Sequence, residues 1–146
     1  MERSILVERW IAYALIAMAF AGFTSVIAKQ GLTGISGELG LAVRTCFVFV
    51  LVLGVSFMAV PRTELASLTA RNYLWLGLSG VTTTVSWVFY YKALKEGEVS
   101  TVALIDKGSF VVAVALAWLL LGERITWRVV VGGMLILAGL WVVSRR

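Results

Sequence analysis

Three ionisable side chains, Arg44, Asp106 and Lys107, interrupt otherwise uncharged apolar stretches. On insertion scales each such charge costs roughly 2.5–3.5 kcal/mol at the centre of a span, while a Leu, Ile, Val or Phe returns only about 0.3–0.6 kcal/mol. Each therefore needs a partner or a task. A guanidinium and a carboxylate at similar depth can form a buried ion pair, and a carboxylate beside a cavity can carry a proton. Trp87, Tyr90 and Tyr91 add amphipathic rings able to line a solute path, although tyrosines near a span end also serve as interfacial anchors. Other chemistry is poorly provided for. His is absent and Cys46 is the single cysteine, which rules out intramolecular disulfides, zinc sites and His-based catalysis. No nucleophile with a base, metal triad or phosphate-cradling loop stands out, so neither enzyme activity nor a cofactor is expected.

The elements that must position these residues follow from composition. Apolar residues form 60% of the chain and charged residues 14%, too little polar surface to cover a water-soluble core. With lipid as solvent, the backbone must satisfy its own polar groups, and uncharged runs this long exceed barrel strands. The pattern predicts an all-α membrane protein with five transmembrane helices, near residues 10–29, 39–60, 72–92, 99–121 and 127–144. Gly31, Gly34 and Gly37, then Pro61, Gly97 and Gly122 punctuate the links. Trp10, Trp75, Trp127 and Trp141 lie near span ends, as an aromatic belt requires. The first run is uncharged from Trp10 to Ala28, longer than a signal-peptide core, and reads as a retained span of a single domain.

Alternating helix direction brings Arg44, Asp106 and Lys107 into one leaflet with Ser86, Trp87, Tyr90, Tyr91 and Lys92. At 1.5 Å per residue Arg44 lies about 7.5 Å and Asp106 about 10 Å inside their spans, close enough in depth to pair. Asp106 shares a helical face with Ala103, Phe110, Ala113 and Ala117, whereas Lys107 shares one with Leu104, Val111, Val114 and Trp118. The smaller face suits a bundle interior or cavity; the bulkier one suits lipid, with Lys107 extending its stem toward the interface. Asp106, Arg44, Trp87, Tyr90 and Lys107 are thus the candidates for a substrate path or for coupling.

The flanking charges are almost balanced. Arg3, Arg9, Arg62, Arg71, Arg124 and Arg128 flank one side, and Lys29, Lys92, Lys95, Arg145 and Arg146 the other, so no strong electrostatic preference sets orientation. The net charge of +5 is scattered singly between apolar blocks, leaving no basic face for nucleic acid. Ala14, Ala21 and Ala28, and likewise Gly132 and Gly139, recur at seven-residue spacing, where helices can approach closely within one chain or between two.

The strings LAVRT (41–45), SWVFYYKAL (86–94), GEVSTVALIDKGS (97–109) and LLLGERIT (119–126) resemble a single EamA domain of the drug/metabolite transporter superfamily, of the short bacterial and archaeal type. The resemblance covers nearly the whole chain. It departs at Leu104, where that group commonly has proline before the IDK string. The resemblance implies half of a two-repeat transporter, and therefore a homodimer, possibly antiparallel, or a heterodimer with a paralogue, in a prokaryotic plasma membrane. It also implies a small metabolite, amino acid or drug as substrate. A non-transporting membrane scaffold, in which the polar residues only join helices, is the rival. In the LGE string, Glu123 is expected to pair with Arg124 or Arg128 or to favour the start of the last helix.

Overall fold

The computed structural model describes the backbone of residues 2–145 and side chains from Arg9 onward. The side chains of Arg3 and Arg146, counted in the charge balance, lie outside the described residues. Among the described residues seven helices follow in order: α1 (Glu2–Gly31), α2 (Gly37–Ala59), α3 (Arg62–Leu65), α4 (Ala70–Glu96), α5 (Val99–Asp106), α6 (Ser109–Leu121) and α7 (Trp127–Ser144). Among the described residues there is no strand.

The helix ends have local causes. Ser36 caps α2, its hydroxyl accepting from the Leu39 N–H at 3.2 Å. Val60 is extended before Pro61, which terminates α2 and leaves only the single turn α3 before the next helix. Thr69 and Asn72 bond reciprocally at the start of α4: the Thr69 N–H donates to Asn72 Oδ1, and the Asn72 N–H donates to Thr69 Oγ1. Gly122 adopts a left-handed conformation, φ 67°, and the Glu123 N–H reaches back to the Ala117 carbonyl, closing α6. Among the described residues Glu123 makes no ion pair with Arg124 or Arg128; the LGE string closes α6 through Gly122 and the Glu123 backbone.

Among the described residues four stretches are long and apolar enough to cross a membrane: Arg9–Gly31, Gly37–Ala59, Val99–Leu121 and Trp127–Ser144. The protein is therefore a multi-pass, all-helical membrane protein. At 27 residues, α4 has the length but is diluted by Ser79, Thr82, Thr83, Thr84 and Ser86. The expected fourth span is also not one regular helix. It breaks at Lys107 and Gly108, where the N–H groups of Lys107, Gly108, Phe110 and Val111 all bond three residues back instead of four. The break needs no proline. A Cβ on Gly108 would stand 3.0 Å from the Ile105 carbonyl oxygen and 3.1 Å from Leu140 Cδ1, so glycine is what this tightened turn accepts against α7.

By their contacts the residues group into two compact units, Ile27–Glu96 and the segments on either side of it. In the central unit α2 packs along α4. Leu32, Leu41, Tyr91 and Leu94 are buried there, and Gly37 brings the start of α2 against the α4 backbone: a Cβ on it would lie 2.9 Å from the Tyr91 carbonyl oxygen. In the other unit α5 meets α7, and Gly133 admits the edge of Phe110. The spaced pair Gly132 and Gly139 is not the contact point within this unit; a Cβ at either would meet nothing within 4 Å. Most large apolar side chains face outward, among them Phe47, Phe57, Met58, Leu74 and Leu121, which is tolerable where the surroundings are hydrocarbon or a neighbouring helix.

Candidate functional site

Polar side chains of α2 and α4 fall on facing stripes. Glu38, Leu41 and Thr45 recur at three- and four-residue steps on α2, as do Leu76, Gly80, Thr83 and Trp87 on α4, so each set lies along one helical face. Between them runs an open groove of about 590 Å³, whose polar wall is Glu38, Thr45, Ser79, Thr83 and Thr84, with Trp87 toward one end. The Thr45 hydroxyl donates to the Leu41 carbonyl at 2.8 Å and that of Thr84 to the Gly80 carbonyl at 2.9 Å. Such back-bonding satisfies the hydroxyl proton in an apolar medium and leaves oxygen lone pairs available to a solute.

Charge gathers at the same end. Lys92 Nζ lies 3.1 Å from Glu38 Oε1, joining α4 to the first turn of α2. The Arg44 guanidinium sits over the Trp87 ring, 4.2 Å from its centroid, and 5.9 Å from that of Tyr91. Tyr91 in turn meets Tyr90 edge to face, with centroids 6.4 Å apart. Arg44, Trp87 and Tyr90 are half-buried, and Tyr91 is buried. Below this cluster two lysines exchange places. Lys29 Nζ donates to the carbonyls of Leu94 at 2.5 Å and Lys95 at 3.2 Å, while Lys95 Nζ donates to the Leu32 carbonyl at 2.9 Å. Each cation thus meets backbone carbonyls at the negative end of the other helix.

The remaining two candidates belong to the other unit. Asp106 closes α5 and Lys107 begins the break; Lys107 Nζ is 3.4 Å from Asp106 Oδ2. On the Asp106 face Asp106, Ala103, Phe110 and Ala117 are half-buried and Ala113 is exposed; on the Lys107 face Lys107, Val111 and Trp118 are exposed and Leu104 and Val114 are half-buried, so burial separates the two faces only in part. Arg44 and Asp106 belong to different units; the partners found within each are Trp87 and Tyr91 for Arg44 and Lys107 for Asp106.

Residues 8–145 match the EamA-like transporter family. The chain belongs to this family. It is also 32% identical over 132 residues to an uncharacterized transporter in the cobO 3' region of Sinorhizobium sp., a match covering 90% of this chain and 94% of that one. No solved structure matches it. Within this EamA-like protein, the strings that carried the resemblance divide between the two units: LAVRT and SWVFYYKAL supply Arg44, Thr45, Trp87, Tyr90 and Tyr91, while the IDK string supplies the helix break. Glu38, Ser79, Thr83 and Thr84 were not singled out from sequence. The signal was present in the four-residue steps from Ser79 to Thr83 to Trp87, which place them on one face of an otherwise apolar helix.

Proposed function

We propose that the chain is a subunit of a secondary transporter for a small metabolite or drug-like solute, working as a dimer of half-transporters in a prokaryotic plasma membrane. The observation that carries this reading is the groove between α2 and α4, which gathers Glu38, Thr45, Ser79, Thr83 and Thr84 along one wall of an otherwise apolar chain. The groove also favours α4 as a fifth span, because its Ser and Thr residues then turn toward α2 and away from lipid. The short links leave no room for a nucleotide-hydrolysing domain, so an ion or solute gradient supplies the energy.

Reconstituted vesicles under an imposed proton or sodium gradient should show saturable uptake for at least one solute class, and the Ser79→Leu/Thr83→Leu variant, which fills the groove with apolar bulk, should reduce it at least tenfold. A folded protein that moves nothing across a broad panel, or a filled groove that transports normally, would sink the proposal.

The near-even flanking charges favour an antiparallel homodimer, with a parallel pair or a paralogue as the other arrangements. A reporter fused to the C-terminus should then signal from both sides of the membrane, and two lysines added at one terminus should shift the ratio. One fixed orientation, indifferent to added charge, would reject the homodimer of opposed chains.

A further inference from the structure

Within its own unit Arg44 is the site cation whose donors meet no acceptor among the described residues. Lys92 has Glu38, Lys107 has Asp106, and Lys29 and Lys95 have carbonyls; Arg44 has only the faces of Trp87 and Tyr91. A ring face offers a guanidinium attraction for its charge but accepts none of its five N–H groups as an oxygen would. Arg44 lies about 10 Å along α2 from Gly37, at 1.5 Å per residue, where water is scarce and unsatisfied donors are costly. A guanidinium drawn to a ring face by its charge keeps its N–H fork for an oxygen acceptor, and two parallel N–H groups of that fork are what receives a carboxylate. Trp87, over which it sits, also lines the groove, whose wall continues through Leu41, Ala42 and Val88 as apolar surface.

We infer that Arg44 is the anion anchor of the α2–α4 groove and that the solute is a small amphipathic carboxylate, its oxygens held by the Arg44 edge and its apolar body laid along Trp87 and Leu41. This names the substrate class of the site proposed above and rests on that reading. Glu38, already paired with Lys92, stands at the groove wall and disfavours a second negative charge, so the solute carries one carboxylate and not two.

The test uses three probes of one shape and different charge: benzoate, benzamide and benzylamine. Binding is measured by equilibrium dialysis on the purified full chain in phosphatidylcholine vesicles, with and without phosphatidylglycerol, at high salt to screen the surface potential. Benzoate should bind saturably, with benzamide and benzylamine at least tenfold weaker. Arg44→Lys, which keeps the charge but loses the planar fork, should cost benzoate about tenfold, and Arg44→Gln should remove saturable binding. Phosphatidylglycerol should leave benzoate affinity unchanged. Equal affinity for the three probes, no saturable benzoate binding, or full binding by Arg44→Gln would overturn the inference. So would displacement of benzoate by phosphatidylglycerol, which would make a lipid phosphate the occupant, or recovery of Arg44→Gln stability by Asp106→Asn, which would make Asp106 the partner. Vesicle uptake separates the two readings: uptake of an amine that survives Arg44→Gln would end the carboxylate assignment and keep the transporter. Benzoate binding with no transport of any solute would end the transporter and keep the anion site.

Discussion

Asp106→Asn should abolish gradient-driven uptake in vesicles while leaving the protein folded, and Lys107→Gln should leave appreciable activity. The folding half of this expectation follows from exposure. The Asp106–Lys107 pair spans 3.4 Å between side chains 38% and 54% exposed, and ion pairs so open contribute about 0–1 kcal/mol, so losing one partner is tolerated. The transport half follows from position. Asp106 ends α5 at the break in a membrane-spanning stretch, and ionisable groups at interrupted helices characteristically serve ions or solutes. Lys107 is exposed and has a long stem that can carry its charge to the interface. Size-exclusion profiles and circular dichroism establish folding, and uptake establishes function. Full activity in Asp106→Asn, or greater sensitivity at Lys107, would reverse the assignment.

The second large effect concerns packing. Gly37→Ala should destabilise the central unit by about 1–3 kcal/mol, lowering the apparent Tm in detergent by roughly 5–10 °C, and Gly37→Val should cost more. The added Cβ would meet the Tyr91 carbonyl oxygen at 2.9 Å, its carbon at 3.0 Å and the Lys92 nitrogen at 3.2 Å, all backbone atoms of α4 that no rotamer change can move aside. Gly132→Ala is the matched control, since nothing lies within 4 Å of a Cβ there and alanine favours the helix. Equal Tm values for Gly37→Ala and the unaltered protein, or equal damage from both changes, would show that the start of α2 does not approach α4 this closely.

How far this site could be read from sequence depended on the range of each interaction. Pro61 and Gly122 act within a few residues, so the helix ends were legible where such residues stood. The break at Gly108 has no proline at Leu104 to mark it; there a Cβ would press on the Ile105 carbonyl oxygen and Leu140. Arg44 was recognisable as an anomaly by cost alone. Its location over Trp87 was not, because which residue of α4 it meets depends on how α2 is rotated about its axis relative to α4. The bonds of Lys29 and Lys95, reaching 65 and 63 residues along the chain, are invisible to any periodicity.

That lysine exchange has a further consequence. Because Lys29 holds the end of α4 while Lys95 holds the end of α1, neither interaction can be lost through a small separation of the two ends without straining the other. The bonds of the two lysines close a loop between the helix ends, so parting the ends breaks both sets together. Amide exchange at Leu32 and at Leu94, on different helices, should consequently share one opening event, making the paired ends a single cooperative unit.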